Sequence, residues 1–411
     1  MGSIIYRLSI FGYRVALHVA AVFTAKARLF IRGRSSTFEV LKRQMENGHS
    51  QIVWFHCASL GEFEQGRPVI EAFKKEFPSY KILLTFFSPS GYEVRKDYPL
   101  ADFVHYLPLD TKKNAEQWIR LVKPRIVFFV KYEFWHFYIK TLKDHKIPVL
   151  SISSIFRQGQ IYFRSSATFQ QKILKNVTHF FVQDTESSDL LRQIDIDTVT
   201  VSGDTRFDRV ADICRKARDI EGIHTFVASK KVMVIGSCWP EDMEILYPFI
   251  TFHDLKYIIA PHEINSGFIG DIQRKSGKSS VRFSEGKEAW SGKDVLIIDN
   301  IGMLSSLYKY ANYAYVGGAF GKGLHNILEA ATFGLPVFFG NKNYQKFREA
   351  VELEEKGGAF PIGSFQELQA AFMNLHQEEG PDDVGKISGQ YVRENTGATA
   401  TIMSYAKKLL V

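Results

Sequence analysis

A chain of 411 residues is too long for one average domain and fits two of about 150–200 residues. Hydrophobic residues make up 45% and charged residues 23%, which excludes a disordered or low-complexity protein. The net charge of +8 suits nucleic acid, anionic lipid or a phosphorylated substrate without choosing among them, while three cysteines (Cys57, Cys214 and Cys238), an odd number without metal-ligand spacing, point to a reducing compartment.

The N-terminus comes first. Between Met1 and Thr37 lie Arg7, Arg14, Lys26, Arg28, Arg32 and Arg34, with no acidic residue. The longest charge-free run, Val15 to Ala25, is 11 residues, short of the roughly 20 needed to cross a bilayer. At about 100° per residue, Arg7, Arg14, His18, Arg28 and Arg32 gather on one side. Ile4, Ile5, Leu8, Phe11, Val15, Val19, Val22 and Phe23 largely occupy the rest. This predicts a basic amphipathic helix lying in a membrane interface, its cations toward anionic headgroups. A helix packed on the protein's own core is the other reading. No small-residue cleavage site marks a signal peptide.

Beyond this segment, strand and helix alternate in two series. Apolar runs at Ile52–Phe55, Ile82–Phe87, Phe103–Leu107, Ile126–Val130, Val149–Ile152, Phe180–Val182 and Val199–Val201 predict strands. Amphipathic segments separate them, most clearly Arg67–Phe77, Lys112–Val122 and Glu133–Asp144. A second series comprises Val232–Ile235, Tyr257–Ala260, Val295–Ile298, Tyr313–Val316 and Val337–Phe339. Arg206 to Lys230, charged and poor in strand signals, reads as the junction. The alternation predicts an α/β protein of two tandem doubly wound, Rossmann-like domains facing a cleft, with strand C-terminal ends toward it. The last segment, Ala398 to Leu410, reads as a helix crossing back to the first domain.

The loops after those strands carry the chemistry. HCASLGEFEQGRP, His56 to Pro68, presents Glu62 and Glu64 near a helix start. A carboxylate there can act as a general base if burial raises its pKa, but a helix N-terminus lowers it and by itself explains an acid there. On pattern alone Glu62 reads as a first-turn charge. KYEFWHF follows Ile126–Val130, and Glu133 among its aromatics needs a partner, which Lys131 or a substrate hydroxyl would supply. GSCWPEDME follows Val232–Ile235 and APHEIN follows Tyr257–Ile259, aiming Ser237, His262 and Asn265 at the same cleft. The segment from Gly317 to Gly340 is the most informative. Its glycines, after a strand and before a helix expected at about Asn326 to Phe333, let backbone N–H groups approach an anion. His325 and Asn326 stand at that helix start, with Glu329 three residues on. Asn326 and Glu329 equally have capping-box spacing, and Gly334-Leu335-Pro336 is an ordinary helix stop. Converging polar loops on two sheets favour an enzyme over a scaffold.

These residues resemble the Kdo transferases of lipopolysaccharide synthesis, 3-deoxy-D-manno-octulosonic acid transferases of the glycosyltransferase B fold, from about Trp54 to Phe360. Ser59-Leu60-Gly61-Glu62 resembles the family's Ser-Val-Gly-Glu, whose glutamate is the proposed base, so that role passes to Glu62. Glu133-Phe134-Trp135 resembles the second half of Glu-Thr-Glu-Leu-Trp and makes Glu133 a second functional acid. Val201 to Asp208, which includes Arg206, resembles the hinge motif Val-Thr-Gly-Asn-Leu-Lys-Phe-Asp. Pro261-His262 falls on a CMP-binding Pro-Arg pair, and Gly302-Met303-Leu304 on Gly-Glu-Leu/Met. Asn326-Ile327-Leu328-Glu329 falls on Asn-Pro-Leu-Glu, the nucleotide-binding helix start. Lys131, His262, Met303 and Ile327 depart from the family's glutamate, arginine, glutamate and proline, and Cys238-Trp239 replaces Thr-His.

The resemblance implies an inverting, metal-independent transferase with no cofactor, moving Kdo from CMP-Kdo to a lipid A precursor of the lipid IVA type. Its partners would be that donor, that acceptor and the anionic surface of the inner membrane's cytoplasmic face, with no nucleic acid. The expected division is residues 1–37 as anchor, 38–205 as acceptor domain, 206–392 as CMP-sugar domain and 393–411 as returning helix. Another nucleotide-sugar glycosyltransferase or epimerase of this architecture, or a non-catalytic lipid-binding protein of the membrane surface, is the alternative.

Overall fold

The computed structural model describes residues 2–46, 51–164, 166–321, 323–377 and 380–410; Met1 of the basic segment and Lys322 of the glycine-rich segment lie outside them. The chain divides into two units, one running to Asp208 and taking in the stretch from Gly397, the other spanning Arg209–Thr396.

In the first unit seven strands form one sheet: β1 Ile52–Cys57, β2 Lys81–Phe86, β3 Phe103–Tyr106, β4 Ile126–Val130, β5 Val149–Ser154, β6 His179–Val182 and β7 Val199–Val201. Their order is β3-β2-β1-β4-β5-β6-β7, and every pairing is parallel. Every residue of β1 and β4 is buried, as expected for central strands covered on both faces. Alternation divides β1 between two cores: Ile52 and Trp54 join one cluster, Val53, Phe55 and Cys57 the other. The second unit repeats the plan with β8 Val232–Cys238, β9 Lys256–Pro261, β10 Ser280–Arg282, β11 Val295–Ile297, β12 Tyr313–Val316, β13 Val337–Gly340 and β14 Ala359–Ile362. The order is β10-β11-β9-β8-β12-β13-β14, again parallel throughout. Two doubly wound sheets are as the sequence predicts. The two strands it did not predict are both edges. β10 has one apolar residue, and β14 carries Pro361, which an edge tolerates because one side of its backbone needs no partner.

Strand order reverses between β1 and β4, and between β8 and β12. At such a switch point the flanking connections leave toward opposite faces, opening a crevice beyond the strand C-termini. The loop from Cys57 and the turn from Lys131 lie at the first of these points, and the loops from Cys238 and Gly317 at the second.

The N-terminal segment is not one helix. Helix α1 (Gly2–Phe23) ends where Thr24 turns extended, and the Thr24 hydroxyl caps α2 (Ala25–Ser35) by accepting from the Ala27 N–H. Arg28 and Arg32 therefore do not continue the polar stripe of Arg7, Arg14 and His18. Helix α2 belongs to the body of the unit. Ala27 and Phe30 are buried, and Arg34 donates to the carbonyls of Leu107 (2.8 Å), Phe87 (2.5 Å) and Phe30 (3.0 Å). Its guanidinium lies 3.5 Å over the Phe30 ring, and burial lowers its pKa to about 9. Helix α1 contains no buried residue, and by length and composition it is the one candidate to cross a membrane among the described residues. Its Ile4, Leu8, Phe11, Val19 and Val22 are exposed.

The helix Ala398–Leu410 packs Ile402, Met403 and Ala406 into the core of the first sheet. Asp208 fixes its start by accepting from the Gly397 N–H (2.6 Å) and the Thr399 N–H (2.7 Å).

Candidate functional site

At the first switch point, α3 (Thr37–Met45) having led into β1, the chain leaves β1 and enters α4 (Leu60–Glu76) after two residues. This helix starts seven residues earlier than Arg67, where the sequence predicts it, and carries Pro68 inside. Thr205 donates to the Gln65 carbonyl at 2.5 Å, serving an acceptor near the proline, where the helical ladder is interrupted. Ser59 is the N-cap residue and Glu62 sits in the first turn, with Gly61 exposed between them. The Ser59 hydroxyl donates to Glu62 Oε2 and so holds the carboxylate by one oxygen. Glu64, two residues on, is instead ion-paired to Arg95 at 2.9 Å.

Glu133 lies in the turn after β4, before the helix His136–Asp144. The sequence offers Lys131 or a substrate hydroxyl as its partner; in the structure His56 lies beside it, its Nε2 3.4 Å from Glu133 Oε2. His56 is fully buried on β1. Its Nδ1 is 2.8 Å from Thr85 Oγ1, which accepts from Trp54 Nε1 (2.7 Å) and donates to the Phe55 carbonyl. Because that hydroxyl's one proton goes to Phe55, His56 Nδ1 carries a proton. Nε2 accepts from Trp135 Nε1 at 3.3 Å, on the side of Glu133. His56, Thr85 and Trp135 were not recognised from sequence as part of this group. The polar residues His56 and Thr85 inside otherwise apolar strands were the available signal.

At the start of the helix Thr205–Arg215, which follows β7, Arg206 is held by Asp204, through its Nε to Oδ2 at 2.8 Å and its backbone N–H to Oδ1 at 2.9 Å. Asp204 also accepts from Gln65. The Arg206 charge is thus engaged at this helix start.

The second unit gathers its residues around the end of β8. The register slips between Gly236 and Cys238, and Ser237 adopts a left-handed φ of 53°. A bulge of this kind re-aims the chain at a site. A Cβ on Gly236 would lie 2.3 Å from the Tyr308 hydroxyl and 3.0 Å from the Leu304 methyls, so Leu304 seats against β8. A Cβ on Gly317 would meet the Ser237 carbonyl at 2.5 Å, so the glycine-rich turn closes directly on the bulge. Asp242 joins these parts. Fully buried, it accepts from the Trp239 N–H (2.8 Å), the Tyr315 hydroxyl (2.9 Å) and the Gly318 N–H (3.1 Å). Sequence reading passed over Asp242, although an acid two residues after Pro240 is a helix-start signal.

Three rings form the exposed edge of this group. His262 stacks on Trp239 at 4.6 Å and on His325 at 4.3 Å, and Trp239 Nε1 donates to His325 Nε2 at 3.2 Å. Burial, then the neighbouring His262, lowers the His325 pKa to about 4. His325 is therefore neutral near pH 7, with its proton on Nδ1. The departures Trp239 and His262 thus replace a polar and a cationic side chain with a stack. Pro261 pairs in register with Cys238, which brings His262 to the group, and Gly302 turns with φ 95° into Met303 and the one-turn helix Leu304–Leu307.

The predicted helix from Asn326 to Phe333 is only Leu328–Ala331. Asn326 Oδ1 accepts from the Leu328 N–H at 3.2 Å, and its amide reaches Glu329 Oε1 at 3.4 Å. Four residues sum too few peptide dipoles for an appreciable macrodipole. Ile327 and Leu328 are buried and anchor the turn, leaving Asn326 exposed. Burial raises the Glu329 pKa, against the pull of Arg209 and Asn326. Among the described residues no cluster of three or more His, Cys, Asp or Glu forms a metal-binding group.

Comparison with known proteins follows this division. Residues 32–209 match a family model described as 3-deoxy-D-manno-octulosonic-acid transferase (kdotransferase). The chain is 29% identical to the 3-deoxy-D-manno-octulosonic acid transferase of Aquifex aeolicus over 351 residues, 82% of this chain and 91% of that protein. It is 27% identical to the transferase of the same name from Chlamydophila psittaci, over 71% of this chain and 70% of that one. In fold it is similar to the UDP-GlcNAc 2-epimerase of Neisseria meningitidis, with a TM-score of 0.62 at 18% identity, covering 87% of this chain and all of the other. That likeness bears on the fold alone. The resemblance read from the sequence stands: the chain is an enzyme of glycosyltransferase type, similar to the 3-deoxy-D-manno-octulosonic acid transferases.

Proposed function

We propose that the protein transfers Kdo from CMP-Kdo to a lipid A precursor in lipopolysaccharide synthesis, with inversion and without a divalent metal. The observation that carries this reading is the coincidence of sequence and geometry. Residues that resemble the transferase motifs, Ser59–Glu62, Glu133, Pro261-His262 and Asn326–Glu329, follow strands of two doubly wound sheets, the first two of them at a switch point. Glu62, held on one oxygen by Ser59, takes the proton from the acceptor hydroxyl as that oxygen bonds to the anomeric carbon. The bond from that carbon to the CMP phosphate breaks, and CMP leaves with the electron pair. Glu133, beside His56, positions the acceptor sugar.

The nucleotide side rests on the ring stack beside the glycine turn rather than on a long helix. Neutral His325 donates a hydrogen bond to the phosphate from Nδ1. Glu329 accepts from ribose hydroxyls beside Asn326. The exposed apolar face of α1, with Arg7 and Arg14, rests on the anionic cytoplasmic face of the inner membrane, where the acceptor resides. A donor panel tests the reading. CMP-Kdo should be consumed with release of CMP in the presence of a chelator, and uridine-linked sugars should be left intact. Consumption of a uridine-linked sugar instead would assign the fold to a different reaction.

A further inference from the structure

A cavity of 830 Å³ lies in the first unit beneath α1 and shares no lining residue with the Ser59–Glu62 turn or Glu133. Its volume is that of a small-molecule pocket, about 300–1,000 Å³. The inward stripe of α1 is Tyr6, Ile10, Tyr13 and Leu17. Tyr6 is anchored by its hydroxyl on Asp110 at 2.5 Å, and Tyr13 by its ring against Phe30 and Phe87. Ile10 and Leu17 line the cavity, facing Ile31 and Phe38.

The mouth has the opposite chemistry. Arg7, Arg14, Lys112 and Lys113 line it, and Asp110 is the one acid among the lining residues. That carboxylate is turned inward, accepting from Tyr6 and from the N–H groups of Phe137 and Tyr138 at 3.0 Å each. Among the described residues neither the Arg14 guanidinium nor the Lys113 ammonium has an ion-pair partner. Apolar walls under a cationic mouth complement an amphiphile with an anionic head. The opposite face of the same helix exposes Ile4, Leu8 and Val22, which selects a bilayer lipid over a free fatty acid as the source.

We propose that this cavity takes one acyl chain of an anionic phospholipid drawn from the bilayer, its phosphate at Arg14, Lys112 and Lys113. The lipid fills the gap between the Tyr6 and Tyr13 anchors and fixes α1 to the unit. The proposal rests on the membrane reading of α1 and is independent of the transfer reaction.

The test uses the full chain in a nonionic detergent, with phosphatidylglycerol or phosphatidylcholine added and native mass spectrometry counting retained lipid. No donor or acceptor is present, so the result is separate from turnover. One phosphatidylglycerol should be retained per chain, in preference to phosphatidylcholine. Ile31→Trp narrows the apolar part of the cavity and should weaken retention at least several-fold. Arg14→Gln with Lys113→Gln changes two exposed residues without threatening the fold and should weaken phosphatidylglycerol about 30-fold, from about one cation's worth of attraction at each site. Absence of a stoichiometric lipid, or retention that survives the paired variant unchanged, overturns the proposal. If the paired variant instead raises the KM for a lipid A precursor in phospholipid-free detergent, the cavity serves the acceptor and the proposal is equally overturned.

Discussion

Asp242→Ala gives the strongest link between packing and the nucleotide turn. The buried carboxylate accepts three hydrogen bonds, from Trp239, Tyr315 and Gly318. Removing it strands the Tyr315 hydroxyl and the Gly318 N–H, at about 1–3 kcal/mol each, and loses a helix cap of about 0.5–2 kcal/mol. Because one side chain serves all three, the costs do not add fully, and we expect a loss of about 3–5 kcal/mol. Asp242→Asn keeps the shape but forfeits one acceptor, for about 1–3 kcal/mol. The pH dependence has a definite sign. Burial holds the Asp242 pKa above its ordinary value, so the folded protein binds this proton more tightly than the unfolded chain does. Its contribution to stability is greatest at low pH and is lost as the pH rises through the raised value. Asp242→Asn should flatten that part of the profile. Urea unfolding of the second unit, followed across the acidic range beside calorimetric CMP affinity, measures both effects. An Asp242→Ala protein with the wild-type midpoint and CMP affinity would refute the role of this carboxylate.

Glu62→Gln should lower turnover about 10²–10⁴-fold with CMP affinity unchanged, whereas Glu64→Gln, which breaks the pair to Arg95, should stay within about a few-fold; both are read by steady-state kinetics. Asn326→Ala and Glu329→Ala should weaken CMP binding in titration calorimetry while the thermal midpoint holds, since the Leu328–Ala331 turn is anchored by buried Ile327 and Leu328. Deleting the chain through Phe23 should release the protein from membranes and leave it folded, by sedimentation and circular dichroism. Arg34→Ala should instead destabilise by about 2–4 kcal/mol, because three backbone carbonyls lose their donor.

The parallel sheets were legible in the sequence because buried central strands are written as unbroken apolar runs. Ile126–Val130 and Tyr313–Val316 have the predicted bounds. Boundaries failed where a local signal competed with tertiary support. The helix predicted from Arg67 begins at Leu60, where Thr205 from another element supports the Gln65 carbonyl beside Pro68, and Thr24 split a basic segment whose composition was uniform. Loop residues with chemistry could be named from their motifs. Their partners could not, because His56 with Glu133 and Asp242 with Gly318 are 77 and 76 positions apart and meet only through strand order. The short helix after Asn326 was misread for a related reason: capping-box spacing marks where a helix starts and says nothing about how far it runs.

The measurement that bears most directly on function is mass spectrometry of the lipid product. Purified full-length protein is incubated with CMP-Kdo, a tetraacylated lipid A precursor and a chelator. The account predicts that the precursor gains Kdo while CMP accumulates in equal amount, and that Glu62→Gln suppresses both. An unmodified precursor with CMP-Kdo intact, from protein that binds CMP and remains folded, would contradict it.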